Sequence, residues 1–387
     1  MNKNVTFCAL FLLLPGLVLA QIIEIPDANF KDALVNQMVV DTDGDGIFDA
    51  DADTNNDGEI DVQEALAVEA LGVVGKNIFS LDGIAEFQNL QQLVASYNYL
   101  EEIDLSTLTQ LELLIVSFNE LDSLDVSQNT QLRRLEFDFN NISSIDLSNN
   151  QLLERLWLTF NSISSLDLSL QTGLQNLNAD SNDLQAIDLS ANPELTYLAM
   201  DNNMLTSIDL SGNALLEFVD VYANQLTELD LSTQANLSIL TCLNNNLSYL
   251  NIQNGNNQQL SFFNTQNNPN LSCIQVDDPT YASNQTDWLV DAGVDYSEDC
   301  LLLGVGDTNQ VGFGLSPNPT AGIVGVQYDG WFTDRLNWTV LNAAGKVVYR
   351  FDGRPDRLDL SGRQAGIYFI RANDQKGHSY VQKLVVR

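Results

Sequence analysis

The stretch "DTNNDGEIDVQE", residues 53–64, sets hard oxygen donors at the spacing a divalent cation requires. Asp53, Asn55 and Asp57 stand at places one, three and five of a loop, and Gly58 follows where the chain must turn sharply. Glu59 offers its backbone carbonyl at seven, Asp61 stands at nine, and Glu64 at twelve can give both carboxylate oxygens. Calcium takes six or more oxygens in a flexible cage, so the spacing predicts a Ca2+ loop here. Immediately upstream, "DTDGDGIFDADA" puts Asp41, Asp43, Asp45, Gly46 and Asp49 in the same register, with Ala52 in the twelfth place. Asp51 or Asp53 would have to complete that cage; the plain alternative for both loops is a solvated acidic turn. The loops abut with no helix between them, so the expected role is structural, without the opening of a helix pair. Calcium would tie residues 53–61 to the element that follows.

Little else in the chain can do chemistry. The only histidine is His378, near the C-terminus, and no nucleophile elbow, Cys–His pairing or transition-metal spacing is present. Carboxylates follow a repeat period, where a catalytic pair would break it, so an enzyme is not expected. Charge is very uneven. Residues 21–300 hold 45 acids against five basic residues (Lys31, Lys76, Arg133, Arg134, Arg155), whereas residues 301–387 hold ten basic against seven acidic. The acidic body repels nucleic acid and anionic lipid alike.

The elements that carry these residues are set by a repeat. The strings "LQQLVASYN", "LELLIVSFN", "LRRLEFDFN", "LERLWLTFN", "LQNLNADSN", "LTYLAMDNN", "LEFVDVYAN" and "LSILTCLNN" end at Asn98, Asn119, Asn140, Asn161, Asn182, Asn203, Asn224 and Asn245, a spacing of 21. A ninth, "LSFFNTQNN", ends at Asn268 after a two-residue insertion, and phrases such as "IDLS" and "LDVS" run between. Leucines at places one, four and six point inward from a short strand, and each coil's strand pairs with the next in a parallel sheet. The asparagine at place nine can turn its amide onto backbone groups where the chain bends away. The expected fold class is an α/β-type repeat solenoid with a parallel sheet on its concave face, followed by a small all-β sandwich.

The "LxxLxLxxN" phrase is the leucine-rich repeat signature, and its 21-residue period resembles the internalin-like repeats of bacterial surface proteins over residues 90–270. The acidic loop at 53–64 resembles an EF-hand loop. The resemblances and patterns divide the chain into a signal peptide (1–20), a calcium-loop and helical cap region (21–70), the solenoid (71–271), a terminal cap (272–300), a linker (301–310) and a sandwich (311–387). The signal reading rests on Lys3, the apolar run "CALFLLLPGLVLA" and the small residues before Gln21. No later segment is apolar enough to span a bilayer. Helices are predicted from Pro26 ("PDANFKDALVNQ") and from Ile60 onward. The segment "NPNLSCIQVDDPTYASNQTDWLVDAGVDYSEDC" looks like the terminal cap of secreted leucine-rich proteins, in which a Cys273–Cys300 bridge would pin the end; Cys242 falls at a core place.

Residues 311–387 resemble the C-terminal sorting domain of the type IX secretion system of certain Gram-negative bacteria. The matching residues are "SPNPTAG" (316–322), "NAAGKVV" (342–348), "AGIYFIR" (365–371) and "KLVVR" (383–387). The resemblance implies that this tail engages secretion machinery and delivers the chain outside the cell or to the outer-membrane surface. "LDLS" at Leu358 echoes the repeat without a partner string.

Solenoids bind through outward places flanking the fixed leucines. At places three, five and seven stand Arg134, Glu136, Arg155, Trp157, Tyr197, Phe218, Asp220 and Tyr222. Trp, Tyr and Arg dominate interface energies, so these residues are the predicted contact patch for a protein or glycan partner. Tyr97, Phe118, Phe139 and Phe160 recur in register just before the asparagine and are expected to pack along the rim. The function that follows is partner binding by a secreted or surface protein; a passive surface or matrix role is the alternative.

Overall fold

The computed structural model describes residues 21–300, 313–328, 336–342, 346–373 and 379–387; the predicted signal peptide, the linker and His378 lie outside them. The chain divides into two units at Tyr296/Ser297.

The first unit is built on an eleven-stranded parallel sheet of two- and three-residue strands, from Ala70–Gly72 to Trp288–Leu289. Nine of these strands carry the repeat strings. The outer two come from the flanking caps, so the sheet is longer than the nine matches alone predict. In each coil the residues at places one, four and six are buried: leucine at place one, leucine in most coils at four, and mostly other apolar residues at six, as with Leu132, Leu135 and Phe137, or Leu153, Leu156 and Leu158. A second, four-stranded sheet forms where the later "LDLS" phrases fall, including Glu228–Asp230 and Tyr249–Asn251.

The bend after each strand is left-handed. Place eight has φ between 50° and 60° in every coil from Tyr97 to Asn267. The asparagine that follows compensates for the pairing lost there. Asn182 Nδ2 donates to Leu158 O of the previous coil at 2.9 Å, and its Oδ1 accepts from Ile163 N at 3.0 Å. The same bridge recurs coil after coil, for example at Asn119 and Asn203.

A second amide row runs through the interior: Asn129, Asn150, Gln171, Asn192, Asn213 and Gln234, each at most 1 % exposed. Their side-chain NH2 groups donate to two carbonyls of the previous coil; Asn192 Nδ2 reaches Leu168 O at 3.0 Å and Gln171 O at 2.9 Å.

Both ends of the solenoid are closed. At the front, the helix Ala28–Asn36 is capped by Asp27, whose second oxygen takes the N–H groups of Phe79 and Ser80 in the first coil. Val40 bridges antiparallel to Leu71 and covers the sheet edge. Phe48 lies so close over Gly72 that a Cβ there would collide with its ring. At the back, Trp288 packs edge-on against Phe263 and Tyr296, and the Asp291 carboxylate takes the N–H groups of Asn267 and Asn268. Cys273 and Cys300 are disulfide-bonded, while Cys242 is a free, fully buried thiol that burial pushes up to about 12.

The second unit contains two antiparallel sheets, of three and four strands, sharing a core around Trp338, Phe313, Ile370 and Leu384. Asn318 of "SPNPTAG" is stapled to "KLVVR": its Nδ2 donates to Lys383 O at 2.6 Å and its Oδ1 accepts from Val385 N at 2.9 Å. Two motifs distant in sequence are thus one structural feature. The "LDLS" echo reproduces the local turn of the solenoid, with Ser361 N donating to Asp359, but in an antiparallel setting.

Replacing a place-nine amide by an apolar isostere strands buried backbone groups. Asn182→Leu is expected to lower unfolding stability by about 2–4 kcal/mol, read as a shift in urea midpoint, because each orphaned buried group costs about 1–3 kcal/mol.

Candidate binding faces and acidic loops

The acidic loops flank the front cap. The second loop leads into the helix Val62–Ala67, which Asp61 caps; Glu64 returns the bond in a capping box. Glu64 is buried, and its other oxygen accepts from Asn55 N and Thr54 Oγ1, both at 3.1 Å. Asp53, also buried, accepts from Asp57 N and Gly58 N, and the Glu59 side chain pairs with Lys31. In the first loop, Asp41 accepts from Gly44 N and Gly46 N, each at 2.8 Å, and Asp49 accepts from Thr42. Among the described residues, the one trio of ligating side chains with donor atoms mutually within 4.8 Å is Asp41, Asp43 and Asp45. All three are hard oxygen donors, so this trio suits a calcium ion. Carboxylates of both loops accept backbone N–H groups of their own loop, and in the second loop Asp61 and Glu64 also tie it to its helix.

The predicted contact patch separates into two groups. Arg134 and Arg155 both approach Glu136, at 2.7 and 3.8 Å, and the Arg155 guanidinium lies 5.0 Å from the centre of the Trp157 ring. Glu136 is only 6 % exposed although its strand face is the outward one. The indole N–H of Trp157 is shielded from solvent and finds no acceptor. Arg133 pairs with Glu154, so all three arginines of this unit are matched to acids. The intervening strand Asn176–Asn178 separates this group from the second, where Tyr197 and Phe218 stack at 4.3 Å.

Beside that stack lies an acidic cluster that sequence reasoning missed, apart from Asp220. Asp180 accepts from Asp201 N at 2.9 Å, and Asn202 Nδ2 bridges Asp201 to the Tyr222 hydroxyl. Burial, then the facing Asp201 carboxylate, holds Asp180 well above the usual carboxylate range. Burial raises Asp220 to about 6, and it raises the Tyr197 phenol, with Asp180 adding to the effect. The signal was present as aspartates at place seven of two successive strings. By contrast the exposed aspartates of the "LDLS" phrases are individually stabilised: Asp146 accepts from Ser148 N at 2.9 Å, and that bond with the Ser148 side chain lowers its pKa.

The aromatic row packs along the rim by stacking on itself. Tyr97, Phe118, Phe139 and Phe160 stack on one another, centroids 4.3 Å apart at 9–18°, and stay on the surface; Tyr97 is 57 % and Phe160 50 % exposed. Phe79 and Tyr99 form a second exposed stack, at 5.0 Å. Each ring of the longer row sits at the left-handed place eight, which costs a bulky residue roughly 1–2 kcal/mol; stacking returns about 0.5–1.5 kcal/mol per pair.

Comparison with known proteins fits these observations. Residues 315–387 match the family described as "Secretion system C-terminal sorting domain". The tail is a sorting domain of that family. The functional domain of InlJ from Listeria monocytogenes, which includes a cysteine ladder, is similar at TM-score 0.50 and 19% identity, covering 85% of this chain and 93% of that one. That likeness shows the leucine-rich repeat fold. An internalin (inlF) from the same species has a TM-score of 0.35 at 19% identity, over 74% of this chain and 99% of that one. YopM from Yersinia enterocolitica has a TM-score of 0.43 at 30% identity, over 52% and 42%. No curated protein matches the chain. No helix among the described residues is long and apolar enough to cross a membrane.

A carboxyl whose pKa is raised on folding stabilises the folded state fully below its unfolded value, and that contribution is lost as pH rises towards its folded value. The leucine-rich repeat unit should therefore melt at a lower temperature at pH 8 than at pH 5. Asp180→Asn should flatten that dependence and raise the pH 8 melting temperature, as read by circular dichroism.

Proposed function

We propose that this is a secreted or cell-surface protein of a Gram-negative bacterium that binds a protein or glycan partner through the concave strand face. Its sorting domain would carry it across the outer membrane through secretion machinery. The observation that supports this reading most is the Arg134–Glu136–Arg155–Trp157 network. A nearly buried carboxylate on an outward face and an unsatisfied indole N–H both oppose stability. Residues kept against stability point to selection for contact, and arginine and tryptophan are the usual anchors of an interface. Tyr197, Phe218 and Tyr222 extend the same face. A passive matrix role asks for none of these.

The test is a protein and glycan array probed with the full-length protein. Arg155→Ala with Trp157→Ala should weaken capture of any ligand found by tenfold or more without lowering the melting temperature by more than a few degrees. Unchanged capture would favour the passive surface role.

We further infer that calcium is a structural ligand of the front cap. Asp41, Asp43 and Asp45, with Asp49, would supply oxygens in the first loop, and Asp53, Asn55, Asp57, Glu59, Asp61 and Glu64 in the second. Asp41 adjoins the bridge that covers the first strand, so an ion there would stabilise the folded state by preferential binding. Chelation should lower the melting temperature, and Asp43→Asn with Asp45→Asn should remove most of that sensitivity. A melting temperature indifferent to chelator would overturn the assignment.

A further inference from the structure

The row of stacked rings asks for an explanation that the fold does not supply. Later coils place Ser181, Asn202, Ala223, Asn244 and Asn267 at the same left-handed position. The backbone bend is therefore made without an aromatic, and with asparagine at lower strain. Four bulky rings in succession leave an exposed apolar strip instead. Contiguous exposed apolar surface of this kind marks a contact site.

The stacking geometry limits what the strip can take. Phe118 and Phe139 each have a stacked neighbour on both sides, so their faces are covered. What remains open along the row is ring edge. A sugar docks on an aromatic face, and only the ends of the row, at Tyr97 and Phe160, could offer one. Ring edges pack well against aliphatic side chains.

Charge narrows the choice further. Exposed acids in the coils that carry the strip include Glu101, Glu120 and Asp122, two to four residues after Tyr97 and Phe118. From residue 77 to residue 300 the basic residues are Arg133, Arg134 and Arg155, and each pairs with a glutamate. Lys76, at the front end, is hydrogen-bonded to Gln37. A second copy of this acidic unit, or an anionic surface, would be repelled. A cationic partner would be drawn in.

We propose that the Tyr97–Phe118–Phe139–Phe160 strip is a docking surface for a polypeptide segment that alternates aliphatic with lysine or arginine side chains. Aliphatic groups lie along the ring edges and the cations meet the flanking carboxylates. This surface uses other residues than the Arg134–Trp157 network, so each is tested by its own substitutions.

The test uses the full-length protein and three fluorescein-labelled twelve-residue peptides, of alternating Leu–Lys, Ser–Lys and Leu–Glu, followed by anisotropy. The Leu–Lys peptide should bind at least tenfold more tightly than either of the others. The triple variant Phe118→Asn, Phe139→Asn, Phe160→Asn adopts the residue other coils use at this bend, so its circular dichroism melt should match the parent; it should lose that binding at least tenfold. Phe118→Leu, Phe139→Leu, Phe160→Leu, which keeps an apolar strip, should retain more than the asparagine variant. Equal binding of Leu–Lys by the parent and the asparagine variant, or equal binding of Ser–Lys and Leu–Lys, would overturn the proposal. So would sedimentation showing that the strip holds two copies of the chain together.

Discussion

The place-nine amide, one side chain per coil, is the interaction on which the rest of the solenoid depends. A chain leaving a three-residue strand through a left-handed bend loses its ladder partners while still buried under the next coil. Buried backbone groups left unpaired would cancel what the leucines gain. Asn119, Asn140 and their counterparts settle this by donating to the coil before and accepting from it as well. The bridge is short and directional, so it admits little variation in coil length. It also keeps successive strands in register, which leaves the outward places free to vary.

Those places are where the coils differ from one another. One stretch of the face carries two guanidiniums around a sequestered glutamate; another carries a stacked tyrosine and phenylalanine beside three aspartates. The bend itself carries rings in four coils and small or amide residues in the later ones. None of these features is needed by the repeat, and several oppose stability. The acid-rich surface acts on all of them together. It repels anionic partners at a distance, and it leaves local charge balance to three paired arginines.

Leucines and asparagines at fixed spacing made the solenoid legible, because a one-residue slip would bury polar groups. The interior amide row was just as periodic, two residues after the serine of each "DLS" or "DVS" phrase, yet it reads as ordinary turn composition until Asn129 and Asn192 are seen buried. The left-handed bend was hidden because phenylalanine is a poor marker of that conformation; Asn202, Asn244 and Asn267 carried the clue. Donor count favoured the second acidic loop; the direction in which the oxygens point is not written in the spacing. Acids of both loops turn oxygens to backbone N–H groups, and those of Asp41, Asp43 and Asp45 also lie within 4.8 Å of one another. The cap strands Ala70–Gly72 and Trp288–Leu289 were missed because neither belongs to a string ending in asparagine.

Amide hydrogen exchange of the full-length protein tests the central claim most directly. The N–H groups held by the place-nine oxygens, at Leu100, Leu121, Ile142, Ile163, Leu184, Leu205 and Leu226, should exchange as slowly as those of the strands. If they exchange instead at the rate of exposed turn amides, the amide ladder does not hold the coils together and the account is wrong.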